Sequence, residues 1–120
     1  MKKNKQQPDK IEWLVIPSEN LEKAAEFYSN IFNWKISVYT PEFWLFEADT
    51  VHGGFDKKLK PNDQGIRFSI TVEDIPDKLT QIVDQGGLII QEKYEIAKGF
   101  GFAASFKDPN GNIVELWASK

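Results

Sequence analysis

Cysteine is absent from this sequence, and histidine and methionine each occur once. Without cysteine there are no disulfides, no Cys-based zinc site and no thiol nucleophile, and a reducing compartment suits the chain, so a cytoplasmic location is expected. Long apolar runs are also missing. None approaches the roughly 20 residues of a membrane span, and the lysines near the start lead into no apolar stretch, so neither a membrane partner nor a secretory signal is expected. Charge of one sign is scarce: 15 Lys and Arg against 18 Asp and Glu leave a formal net charge of -3. With no basic stripe to follow a phosphate backbone, no nucleic-acid partner is expected.

Aromatic side chains, in contrast, are plentiful, with four Trp, nine Phe and three Tyr making up 13% of the chain. They suit a well-filled core and equally a pocket for a flat or apolar small molecule. A length of 120 residues is enough for one domain with a real core. Residues 1–10 are polar and read as a tail, and a single domain is expected over residues 11–118.

Ile11–Pro17, apolar on both faces except at Glu12, reads as a strand buried on both sides. Ser18 or Asn20 can cap the helix that follows, in which Leu21, Ala24, Ala25, Tyr28, Ile31 and Phe32 form one apolar stripe. Asn33 ends it in the left-handed conformation. Short strands are expected at Trp34–Tyr39, Phe43–Ala48 and Val51–Asp56, closing a first module at about residue 57. A polar connection covers about 58–64.

A second module, about residues 65–118, repeats the order. Ile66–Val72 alternates with period two, Asp74 caps a helix with Pro76 in its first turn, and Gly86-Gly87 stops it. Strands follow near Leu88–Glu92, Phe100–Phe106 and Ile113–Ala118, the last two joined by the turn Asp108-Pro109-Asn110-Gly111. The spacing that carries Asn20 onto Asp74 also carries Tyr28 onto Ile82 and Trp34 onto Leu88. A twofold repeat of strand, helix and three strands decides the fold class.

Three motifs then carry a family resemblance. Asn20–Trp34 (NLEKAAEFYSNIFNW) resembles the first helix of the vicinal-oxygen-chelate superfamily, which includes glyoxalases, bleomycin-resistance proteins and dioxygenases. Asn20 replaces the usual Asp and Asn33 the usual Gly. Val72–Leu79 with Gly86-Gly87 is similar to the second helix, and Phe106–Leu116 (FKDPNGNIVEL), the most specific of the three, to the closing hairpin. The resemblance covers about residues 11–118. It implies an α+β fold in which two βαβββ modules form a cupped mixed sheet that holds a ligand, in a homodimer that sometimes exchanges modules.

The resemblance also implies four metal-ligand positions on the first and last strands of each module: Trp13, Gly53, Arg67 and Glu115. Trp13 stands as far before Asn20 as Arg67 before Asp74. Of the four, only Glu115 can ligate, because Gly and Trp offer no donor and Arg stays protonated. A stable site takes three or four protein ligands, so no metal and no other cofactor is expected. If Gly53 faces the cup, its neighbour His52 faces away; a register slip of one residue reverses them.

Parity directs Ile66, Phe68, Ile70 and Val72 toward a helix, and Arg67, Ser69 and Thr71 toward the cup. Trp13 and Val15 should join them there, with Glu115 and Trp117. The resemblance makes the strands of Arg67 and Glu115 neighbours in the sheet, so these two residues are expected to be close. They either neutralise each other or act on a ligand, Arg67 holding an anionic oxygen and Glu115 serving as base or acceptor. Asp108 and Asn112 are explained by turn structure alone. The leading expectation is a metal-free binder of a small organic molecule. The alternatives are a metal-dependent glyoxalase-like lyase or isomerase, or a dioxygenase using Zn, Ni, Mn or Fe, and an interaction module without a pocket.

Overall fold

A computed structural model describes residue 11 and residues 13–61 and 66–120; the expected tail 1–10, Glu12 and the end of the polar connection, from residue 62, lie outside the described residues. The chain runs β1 (Trp13–Pro17), α1 (Leu21–Phe32), β2 (Lys35–Thr40), β3 (Phe43–Ala48), β4 (Val51–Asp56), β5 (Ser69–Thr71), α2 (Ile75–Asp84), β6 (Leu88–Glu95), β7 (Phe102–Lys107) and β8 (Ile113–Ala118). This is the α+β fold of two βαβββ modules. Each module builds a four-stranded mixed sheet, ordered β1-β4-β3-β2 and β5-β8-β7-β6. The first strand of each pairs in parallel with the last, and the rest pair antiparallel.

The helix ends follow from local chemistry. Asn20, rather than Ser18, caps α1: its side chain accepts the Lys23 N–H at 3.0 Å. Asn33 closes the helix at φ 62. Asp74 accepts the Asp77 N–H at 3.0 Å. Gly86, at φ 94, lets the Gly87 N–H return to the Ile82 carbonyl at 2.8 Å. Asn20→Ala is expected to remove about 1 kcal/mol of stability. The check is a lower urea midpoint at unchanged slope; an unchanged midpoint would show that the Lys23 N–H finds another acceptor.

One core joins the modules. Tyr28 stacks on Trp34 at 4.7 Å and on Phe55 at 5.5 Å, while Trp34 stacks on Phe46 at 4.7 Å. Crossing to the other module, Phe27 and Phe32 of α1 meet Phe106 of β7 at 5.9 and 6.4 Å. The helix-side residues of both sheets, among them Ile16, Phe46, Phe55, Leu116 and Val114, belong to this single cluster. Since both sheets turn these faces inward, their opposite, open faces turn away from one another. The two rows of open-face residues, which alternation alone would place in one cup, therefore lie on separate sheets of one chain.

A buried polar knot fastens the closing hairpin to α1. The Asp108 carboxylate accepts the Tyr28 hydroxyl at 2.8 Å, the N–H groups of Asn110 and Asn112 at 2.9 Å each, and the Asn112 amide at 3.1 Å. Asn112 also donates to the Pro17 carbonyl. Asn110 bonds the Asn20 backbone twice, accepting its N–H at 2.8 Å and donating to its carbonyl at 3.1 Å. Burial pushes the Asp108 carboxyl above its ordinary value, although its Asn112, Tyr28 and Asn110 donors pull the other way. Burial first, then the charge and hydrogen bond of Asp108, push the Tyr28 phenol well up. The Asx-Gly turn chemistry is present, but the side chains do more than close a turn.

Several expectations change. β5 is only three residues long, and among the described residues its outer edge has no partner strand; Ile66, expected to cover a helix, is 92% exposed. β6 continues to Glu95 because it pairs with Phe102 at the start of β7. β1 is not buried on both sides, since Trp13 is 47% exposed.

Candidate functional site

β5 and β8 position the second module's open face. Ser69 lies opposite Glu115 and Thr71 opposite Trp117, which puts these four side chains on one side of the sheet. Arg67, just before β5, joins them: its guanidinium lies 3.6 Å from the Glu115 carboxylate. The Ser69 hydroxyl donates to the other Glu115 oxygen at 3.3 Å. A pocket of about 390 Å³ opens here, lined by Arg67, Gln91, Tyr94, Ser105 and Glu115 among others. Gln91 and Tyr94 come from β6, which shifts register between Ile89 and Tyr94. Those bulges break the alternation that would have flagged both residues in the sequence.

Trp117 forms one flank of this face. Its indole N–H donates to the Phe100 carbonyl at 3.0 Å. Gly101, at φ 87, brings backbone against the ring, where a Cβ would lie 2.7 Å from it. The glycines at 99 and 101 thus shape the β6–β7 turn, with Ile96 N–H bonded to the Gly101 carbonyl at 3.0 Å.

The first module distributes its residues differently from expectation. Trp13 pairs with His52, Leu14 with Gly53 and Val15 with Gly54. Gly53 therefore shares the helix side with Leu14, Phe46 and Phe55, and does not join Trp13 and Val15 on the open face. His52 does, with Glu47 directly opposite it on β3. The parity of buried Phe55, two residues on, carried this register in the sequence. Ser69 opposite Glu115 in one module corresponds to Val15 opposite Gly54 in the other, so Gly54 is the counterpart of Glu115. A Cβ at Gly54 would run into the Phe43 ring, which fills the space a carboxylate side chain needs.

The four positions implied for a metal thus hold Trp13, Gly54, Arg67 and Glu115, with one ligating group and one permanent cation. Among the described residues no group of three or more His, Cys, Asp and Glu converges to hold a metal ion. His52 and Glu47 supply two donors on one sheet and Glu115 a single donor on the other. Within one chain these donors do not come together as the three- or four-ligand set that a stable site takes.

Paired βαβββ modules with a polar cluster on the open sheet face define a family. The chain belongs to the Glyoxalase/Bleomycin resistance protein/Dioxygenase superfamily, whose sequence model matches residues 10–116. No curated protein matches the sequence. Among solved structures, it is similar to a glyoxalase/bleomycin resistance protein/dioxygenase family enzyme from Burkholderia phytofirmans PsJN (13% identity, TM-score 0.78, covering 92% of this chain and 98% of that one). It is also similar to a glyoxalase-related enzyme from Fulvimarina pelagi (16% identity, TM-score 0.75, 92% and 88% covered). A third is lactoylglutathione lyase from Agrobacterium tumefaciens (15% identity, TM-score 0.70, 94% and 96% covered). At these identities the likeness is one of fold.

Proposed function

We propose that this protein binds a small organic molecule at the Arg67–Glu115 face without the metal of its superfamily. The observation that supports it is the replacement of ligands at the mapped positions: Arg67 sets a fixed positive charge 3.6 Å from the one remaining carboxylate. In this reading Arg67 holds a carboxylate or enolate oxygen of the ligand, Glu115 accepts a hydrogen bond or proton from it, and Ser69, Thr71, Val15, Trp13 and Trp117 complete the contact surface. Because the two open faces of one chain diverge, the reading includes a homodimer. β1 of one copy lies beside β5 of the other, so that Trp13 and Val15 reach the face that holds Arg67.

A panel of small aromatic carboxylates, screened by thermal stabilisation without added metal, tests this. Arg67→Ala is expected to weaken any carboxylate that stabilises the protein by about ten- to a hundredfold, the scale of a charge-assisted contact. The ion pair is over a third exposed on both sides, at 39% and 37%, so the same substitution should change unliganded stability by less than about 1 kcal/mol. Unchanged affinity in the variant would remove Arg67 from the site.

A metal-dependent lyase, isomerase or dioxygenase is the second reading, and the open-face position of His52 opposite Glu47 favours it. Incubation with nickel, zinc, manganese or iron(II) followed by gel filtration separates the two. Stoichiometric retained metal supports the enzyme, and none supports the metal-free binder.

A further inference from the structure

We propose that the cleft between the two modules, separate from the Arg67–Glu115 face, is a second binding site, for an amphipathic organic cation: an apolar body carrying an ammonium group. The cleft encloses about 860 Å³. Leu14, Trp34 and Phe46 wall it from one module, and Phe68, Ile70 and Val72 from the other. All six are partly or fully buried side chains of the common core or packed against it, so an apolar occupant extends that core rather than lying on a surface.

The mouth has one sign of charge. Glu47, Asp49 and Glu73 line it, and none of them is in an ion pair among the described residues. The cation that also lines the cleft is already committed. Lys78 donates to the Ile31 carbonyl at 2.9 Å and rests 5.9 Å over the Phe32 ring. Trp34 and Phe46 contribute apolar wall, since their ring faces stack on Tyr28 and on one another. Apolar walls with a few convergent polar groups are the usual make-up of a small-molecule pocket.

The internal repeat shows why the space is open. In the second module the β7–β8 turn closes onto the start of α1, through Asn110 to Asn20 and Asn112 to Pro17. The equivalent β3–β4 turn, Asp49-Thr50, makes no such bond to the start of α2 among the described residues. One side of the molecule is locked, and the other keeps an apolar cleft with acidic residues at its entrance.

The test uses three matched probes, phenylbutylammonium, phenylbutanol and phenylbutanoate, titrated into the full-length protein and followed by amide NMR and calorimetry. The ammonium is expected to bind about tenfold more tightly than the carboxylate, with the alcohol between them, and less tightly as salt is raised. Shifted amides should cluster at residues 47–51 and 72–78. The isosteric triple variant Glu47→Gln, Asp49→Asn, Glu73→Gln touches only exposed side chains, so it should stay folded, and it should bring the three affinities within about threefold of each other. Equal affinities in the native protein overturn the proposal, as do shifts centred on Arg67, Gln91 and Glu115. So does absence of binding, including the case in which a second copy covers the cleft in solution. The Arg67 experiment reads a different face with an anionic probe, so either proposal can fail alone.

Discussion

Asp108→Ala is expected to cost the fold about 3 kcal/mol or more, a large loss for the truncation of one polar side chain. The carboxylate receives the Tyr28 hydroxyl, two backbone N–H groups and the Asn112 amide, all buried or part-buried. Removing it leaves several donors without an acceptor, at roughly 1–3 kcal/mol each, less what water recovers. Denaturant melts measure the loss, and a cost under about 1 kcal/mol would show that water replaces the carboxylate. The pH dependence gives a second check. Because burial raises the folded-state pKa of Asp108, the native state holds that proton more tightly than the unfolded chain. Its contribution is therefore fully present below the ordinary carboxylate value and declines as pH rises through the raised one. The deficit of the alanine variant relative to the native protein should accordingly shrink as pH increases from strongly acid to neutral. A deficit that grows with pH would mean that the hydrogen bonds outweigh burial.

Gly53→Ala should cost about 3 kcal/mol or more, and Gly54→Ala distinctly less. At Gly53 an added methyl would overlap the Leu14 carbonyl and backbone on the neighbouring strand. A paired backbone cannot step aside, so β1 must part from β4, an overpacking cost at the upper end of the usual range. At Gly54 the first obstacle is the Phe43 ring, a half-buried side chain that can turn. Urea titrations of both variants decide the matter. If Gly54→Ala proves the more damaging, β1 and β4 pair in a different register, and Gly54 is then not the counterpart of Glu115.

Much of this architecture was legible in the sequence because it is set locally. The caps at Asn20 and Asp74, the left-handed stop at Asn33 and the Asp108–Gly111 turn each depend on residues within a few positions. The repeat of those signals gave the modules. Clean alternation in two strands put Arg67 and Glu115 on the open face, and the family resemblance made their strands neighbours. The β4 register was harder, because a Gly-Gly doublet carries no alternation of its own and Phe55 was the one nearby side chain that could supply it. Gln91 and Tyr94 were hidden by bulges. The divergence of the two open faces was not legible at all. It depends on contacts such as Phe27 with Phe106, which no local pattern announces.

The knot around Asp108 has a further consequence, for chain synthesis. Tyr28 and Asp108 stand 80 positions apart, Asn20 and Asn110 90, and Pro17 and Asn112 95. A nascent chain can form α1 and the first sheet early, yet the groups that secure them are synthesised 80 to 95 residues later. The first module therefore waits, with the ring face of Phe27 that later meets Phe106 still uncovered, until the closing hairpin arrives. Such dependence on distant contacts makes folding slow and leaves apolar surface open to association in the interval. A release or pause just before residue 108 would leave most of the secondary structure written but its fastening missing.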